Sequence, residues 1–140
     1  MARGQKGVTL IELVVVMAIV AIMALFMAPA IGEWLDNFRI RQAARDIAST
    51  LQLAKMQTIS TRQTHSVNFD TDNETYQMTP GGNVNQVPRG VNIVSGSTIS
   101  FRADGTSTSS GTIAIDNAKG KQYQVSVSAT GRIQMQEIGG

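Results

Sequence analysis

Few side chains in this 140-residue sequence are of a kind that performs chemistry, and their spacing argues against most of it. His65 is the single histidine and cysteine is absent. That excludes a multi-histidine or thiolate metal site, a cysteine nucleophile and a disulfide framework. His65 itself reads as a surface or strand-edge histidine. Asp70, Asp72 and Glu74 alternate as carboxylates do at the opening of a calcium loop. The position that such a loop gives to glycine holds Thr75, however, and the distal bidentate position holds Gly81. A polar hairpin turn is the better reading, with a metal at these three carboxylates a weak alternative. No Gly-x-Ser-x-Gly elbow or phosphate-cradling glycine loop occurs, and Thr106 to Ser110 reads as a solvated loop. No catalytic residue, cofactor or enzymatic activity is expected.

One carboxylate stands out by its surroundings. From Val8 to Ile31 the chain is apolar apart from Thr9, Glu12 and Pro29. As a helix these residues reach about 36 Å, enough to cross a bilayer core of about 30 Å. A carboxylate near one end of such a segment costs up to about 2.5–3.5 kcal/mol on insertion scales, and a residue kept at that cost usually has a partner. Arg3 and Lys6 precede the segment and no cation follows it until Arg39, so the N-terminus is expected to stay cytoplasmic and the remainder to be exported.

The formal charge of +2 and sequence pI of 9.3 suggest a basic protein, but Arg3 and Lys6 account for the excess. Beyond Gly7, ten cations face ten carboxylates, which removes the compositional case for a general nucleic-acid binder. Three readings of the apolar segment remain: a secretory signal cut after the small-x-small triplet Ala28-Pro29-Ala30, a simple signal anchor, or a segment in which Glu12 has a purpose.

Lys6-Gly7-Val8-Thr9-Leu10-Ile11-Glu12-Leu13 resembles the processing motif of type IV prepilins and type II secretion pseudopilins. The resemblance implies cleavage between Gly7 and Val8 by a prepilin peptidase and N-methylation at Val8. It makes Glu12 the inter-subunit registry residue, paired with a neighbour's terminal ammonium so that desolvation of both is offset. Val8 departs from the family, where phenylalanine is usual. Pro29 fits as a helix bend, because it removes one backbone bond and crowds the preceding turn.

The elements that must carry these residues follow from periodicity. Periodicity predicts a hydrophobic helix at 8–32, an amphipathic half of the same helix at 33–62 and a β-rich globular domain at 63–140; the prepilin resemblance implies that 1–7 are a cleaved leader and that 8–32 serve as transmembrane and filament-core helix. Trp34, Leu35, Phe38, Ala44, Ile47, Ala48, Leu51 and Ala54 recur at helical spacing, which predicts a stripe covered by the sheet and a helix continuing to about Ile59. Alternating β-branched and polar residues predict strands at 65–69, 75–79, 91–94, 98–102, 111–115, 123–129 and 132–136. The polar stretches 80–90 and 103–111 are expected to be mobile loops. The fold class is therefore α+β, a long N-terminal helix packed on an antiparallel sheet, which the resemblance implies is pilin-like.

Within the pilin class the globular half is most similar to the GspH/FimT family, on the residues 51–62 of the helix end, 99–105 and 125–133. The resemblance implies a minor pseudopilin of the type II secretion pseudopilus, with a type IV pilus minor pilin, able to bind DNA in natural transformation, as the alternative. Expected partners are the prepilin peptidase, other pilin-like subunits contacted through loops 80–90 or 103–111, and the inner membrane, with the globular domain periplasmic. Some FimT-like pilins carry a Gly-Arg-x-Arg tail that binds DNA. Here Gly131-Arg132 is followed by Ile133 and Gln134, which leaves Arg132 alone as a DNA contact, and nucleic acid is not an expected partner.

Overall fold

The computed structural model describes residues 7–139, apart from the side chains at 28–30. The leader residues 1–6 lie outside the described residues. Helix α1 (Leu10–Thr61) is followed by eight strands, β1 (Ser66–Asp70), β2 (Thr75–Thr79), β3 (Val84–Gln86), β4 (Val91–Ser95), β5 (Ile99–Ser100), β6 (Gly111–Asn117), β7 (Gln122–Val127) and β8 (Ile133–Gly139). The chain divides into two compact units, residues 1–35 and 36–140.

The second unit holds the core. Ile40, Ala43, Ala44, Ile47, Leu51, Ala54 and Thr58 of α1 are buried, at the three- and four-residue spacing of one helix face. Two strand layers cover that face, contributing Val67, Tyr76, Ile99 and Phe101 from one and Ile93, Ile113, Ile115, Tyr123, Val125 and Val127 from the other. The stripe differs from expectation at its upper end. Trp34 and Phe38 are 66% and 50% exposed and Leu35 is exposed as well, while Ile40 and Ala43 take the covered positions. The covered part of the stripe therefore begins at Ile40.

The sheet is also two sheets. One runs β3-β2-β1-β5 and the other β4-β6-β7-β8, all neighbours antiparallel. Alternation along a strand reports which face is buried but not which strand is its neighbour, so the split could not be read from it. Residues 84–86, expected in a mobile loop, form β3 against β2. The stretch 103–111 is tied down: Ser107 is buried, its amide donates to Ala129 O at 3.1 Å, and Phe101 and Ser107 form an isolated bridge. Strand 98–102 shrinks to Ile99–Ser100, and the last strand starts at Ile133, leaving Arg132 in the preceding turn.

Local chemistry explains the junctions. Thr61 Oγ1 donates to Gln57 O at 2.7 Å, and Arg62 adopts a positive φ of 57°, ending α1 with a left-handed residue. The buried Thr58 hydroxyl donates to Ala54 O at 2.8 Å and accepts the His65 amide at 3.1 Å, which fastens the helix end to the entry of β1. His65 is consequently buried, not a surface residue, with Nδ1 2.8 Å from Gln63 O. Glu74, also at positive φ, turns its carboxylate away from its own hairpin to accept the Ile93 amide of β4, joining the two sheets.

The end of β8 is held by Glu137, which accepts Tyr123 Oη at 2.7 Å and pairs with Lys121 Nζ at 2.8 Å. The Lys121 and Tyr123 hydrogen bonds lower the Glu137 pKa below its ordinary 4.5. A carboxylate with a depressed folded pKa stabilises the fold at pH values above its unfolded pKa, and this contribution disappears as pH falls through the folded pKa. Thermal melts of a chain truncated to begin near Trp34 should therefore lose stability below about pH 4.5, and Glu137→Gln should flatten part of that loss. A variant whose melting temperature falls with acid as steeply as the parent would remove Glu137 from this role.

Candidate functional site

The N-terminal segment is built for a dry environment that the chain does not itself provide. Every described side chain from Val8 to Met27 is exposed, and Leu10–Met27 forms an 18-residue window of mean hydropathy 2.9 with none of it buried. By length and composition this helix can cross a membrane. Its first turn is capped: Thr9 Oγ1 accepts the Glu12 amide at 3.3 Å and Thr9 O accepts the Leu13 amide at 3.1 Å. Thr9 is thus the N-cap and Glu12 stands at the third helical position, where a carboxylate also favours the positive end of the helix dipole. Gly7 and Val8 precede the helix in a stretch without regular structure, and both are exposed. Helix α1 continues through Pro29, so Pro29 is not its terminus; the proline side chain, with that of its neighbours, lies outside the described residues.

The carboxylates at the β1–β2 turn do not converge. Asp70 Oδ1 accepts the amides of Asp72 and Asn73, both at 3.0 Å, and Oδ2 accepts Asn73 Nδ2 at 2.8 Å. The Asn73 side chain, then its backbone amide, holds the Asp70 pKa below the usual range. Glu74 is committed to Ile93 in the opposite sheet. Among the described residues no group of three histidine, cysteine, aspartate or glutamate side chains could hold a metal ion. The geometry is that of a hairpin turn with its amides satisfied.

Arg132 lies in the turn between β7 and β8. Its amide donates to Ser128 Oγ at 3.2 Å and its carbonyl accepts the Ser128 amide at 3.0 Å, while its side chain is exposed. Beside it, Gly131 has φ +78° and approaches the Asp104-Gly105 turn closely, a Cβ there falling 2.0 Å from Gly105 O. Lys55 Nζ of α1 donates to Gly131 O at 3.0 Å. Helix, β7–β8 turn and 102–105 turn therefore meet at one corner.

The sequence matches the family described as Type II transport protein GspH over residues 43–131, from the buried helix face to this corner glycine. The chain belongs to the GspH family. Residues 2–28 match the prokaryotic N-terminal methylation motif. A curated relative, the type II secretion system protein H of Xanthomonas campestris pv. campestris, is 27% identical over 91 residues, which are 65% of this chain and 53% of that protein. The chain thus spans about half the length of the curated relative it matches. Among solved structures, the minor pseudopilin EpsH of the Vibrio cholerae type 2 secretion system aligns with a TM-score of 0.59 at 15% identity, covering 71% of this chain and 97% of that one. The Pseudomonas aeruginosa type IV minor pilin FimU aligns with a TM-score of 0.59 at 20% identity, covering 74% and 92%. At these identities the likeness is one of fold, a long helix followed by antiparallel sheets.

Several residues of this GspH-family chain escaped the reading of its sequence. Thr9-x-x-Glu12 is a capping-box spacing that signals the start of α1 at the residue after Thr9. Lys55, Gly105 and Gly131 are far apart in sequence and meet only in the fold, with the Gly131-Arg132 turn as the one local signal. Glu74 was read as a possible metal ligand because its spacing from Asp70 is legible while its positive φ is not.

Proposed function

We propose that this chain is a structural minor pseudopilin: inserted in the inner membrane, cut between Gly7 and Val8, methylated at Val8 and assembled into the periplasmic pseudopilus of a type II secretion system. The single observation that supports this best is a capped, wholly exposed apolar helix with one carboxylate in its first turn, in a chain whose globular half is of the GspH family. In a filament, Glu12 meets the free amine at Val8 of a neighbour and fixes the axial offset of the two helices. Pro29 supplies the bend that lets the apolar half follow the filament core. Its partners are the prepilin peptidase and other pilin-like subunits, and it catalyses no reaction.

Intact-mass measurement of the membrane-associated protein tests the processing step. The expected mass is that of residues 8–140 carrying one added methyl group. Gly7→Ala is expected to retain the seven leader residues, since a methyl beside the scissile bond obstructs the peptidase. A mature chain starting at Ile31 would instead mean secretory cleavage, and the filament role would fall.

FimU's fold gives the type IV pilus minor pilin its standing as second reading. Its DNA-binding form draws little support from the globular half, where residues 63–140 carry five cations against six carboxylates. Affinity for nucleic acid requires several phosphates neutralised together. The truncated chain should bind DNA weakly, lose that binding between about 50 and 200 mM salt, and change little on Arg132→Ala. Submicromolar binding at physiological salt that vanishes in Arg132→Ala would establish the DNA-uptake reading instead.

A further inference from the structure

Four strands stand at the edges of the two sheets, and three of them are closed to further pairing. β3 has three residues and β5 two, too short to template another strand. β4 gives its Ile93 amide to the Glu74 carboxylate, and its ladder shifts register between Ile93 and Ser95. β8 differs. It has seven residues, and among the described residues β7 is its one strand neighbour. Ile133-Gln134-Met135-Gln136 holds no lysine, proline or glycine, residues 134–138 are exposed, and the irregularity of the β7–β8 ladder lies at its far end, between Gln122 and Tyr123. Register decides which backbone groups face outward. Ser128 N donates to Arg132 O at 3.0 Å, and bonded pairs alternate along an antiparallel ladder, so Ser126 with Gln134 and Gln124 with Gln136 are the next bonded pairs. Ile133 and Met135 therefore turn their amides and carbonyls away from β7.

Beside this edge, Ile133 lines an open groove of about 380 Å³ together with Gln52, Lys55 and Met56 of α1, and Met56 is 66% exposed. Arg132, at the entrance to β8, is exposed and forms no ion pair among the described residues. We propose that β8 is a docking edge for an extended segment of a different pilin-like subunit, which joins the sheet as a fifth strand. Main-chain bonds to Ile133 and Met135 hold the segment, an apolar side chain on its inner face fills the groove over Met56, and a carboxylate on it meets Arg132. A second copy of this chain is the wrong occupant. Pairing β8 with β8 relates two copies by a two-fold axis, whereas successive subunits of a filament are related by a rise and a rotation. A single open edge takes one partner and stops, as a minor subunit requires. The proposal rests on the filament reading above.

Photo-crosslinking of the full-length chain, in cells that make its companion subunits, tests this edge. Benzoylphenylalanine is placed at Gln136 of β8 or, in a separate chain, at Thr112 of β6, two strands away in the same sheet. Position 136 should give a product with another pilin-like subunit at least about fivefold above position 112, and the cross-linked peptide should map to one extended segment that carries a carboxylate. Met135→Pro, which removes an outward amide that the fold does not use, should cut this product at least about fivefold. Met135→Lys, which leaves the backbone whole and sets a charge at the edge, should cut it likewise, while Met135→Ala keeps it within about twofold. If the proline variant is degraded, the lysine variant decides. A product no stronger than at position 112, one formed with a second copy of this chain, or one indifferent to these edge substitutions overturns the proposal. The same probe at Val16, within the apolar segment, reports on the filament itself. If it captures pilin-like subunits while position 136 does not, the docking edge falls and the filament reading stands; if neither does, both fall.

Discussion

Gly131→Ala is expected to destabilise the globular unit by about 2–5 kcal/mol. A non-glycine residue at φ +78° incurs roughly 1–2 kcal/mol of left-handed strain, and overpacking adds about 1–3 kcal/mol more. The overpacking is severe because the obstacle is backbone: the new methyl would lie 2.0 Å from the carbonyl oxygen of Gly105, itself in a turn at φ +84°. Relief would move that turn or the Gly131 carbonyl that accepts Lys55, so helix, β7–β8 turn and 102–105 turn would shift together. For a domain of this size each kcal/mol corresponds to about 4–8 °C, so a fall of at least about 10 °C is expected. Thermal melts of the chain beginning near Trp34 measure it. A change within about 2 °C would mean that the corner rearranges freely and is not the clamp described above.

The second large effect is expected at Glu12. Glu12→Ala should insert into the membrane as well as the parent or better, since the substitution removes a carboxylate from an apolar helix. The amide that Thr9 accepts belongs to the backbone of residue 12, so the helix cap survives the change. Assembly should fail nonetheless. In the proposed registry pair, removing Glu12 leaves the neighbour's ammonium uncompensated, at about 3–5 kcal/mol per contact, or a hundredfold or more in incorporation. Quantifying the protein in sheared filaments against the membrane pool decides this. Normal co-assembly of Glu12→Ala would show that registry is set elsewhere.

By itself the sequence determined the character of the two halves. Sixteen uninterrupted apolar residues from Leu13 to Ala28 specify a helix for a dry environment, whatever surrounds it, because nothing polar is available to face water. The Gly7-Val8-Thr9-Leu10-Ile11-Glu12 pattern is contiguous, so the family of the N-terminus was legible without a fold, and so was the α+β class, since helical and strand periodicities occupy separate stretches. The helix face from Ala44 to Ala54 was legible for the same reason. Tertiary structure alone decided where that face stops being covered. Trp34, Leu35 and Phe38 obey the same period as the core and yet stay exposed, because periodicity marks a helix face and does not say how much of it is covered.

The tertiary fold also decided that the strands divide into two sheets, since a strand's alternation fixes its faces and leaves its neighbours open. Glu74 is a metal-like carboxylate by spacing and an inter-sheet tie in fact, because a residue at φ +54° sends its side chain away from the turn that its sequence neighbours form. The corner of Lys55, Gly105 and Gly131 joins residues up to 76 positions apart. No local rule specifies such a meeting: it arises when the core between helix and sheets closes and brings two turns and a lysine to the same edge.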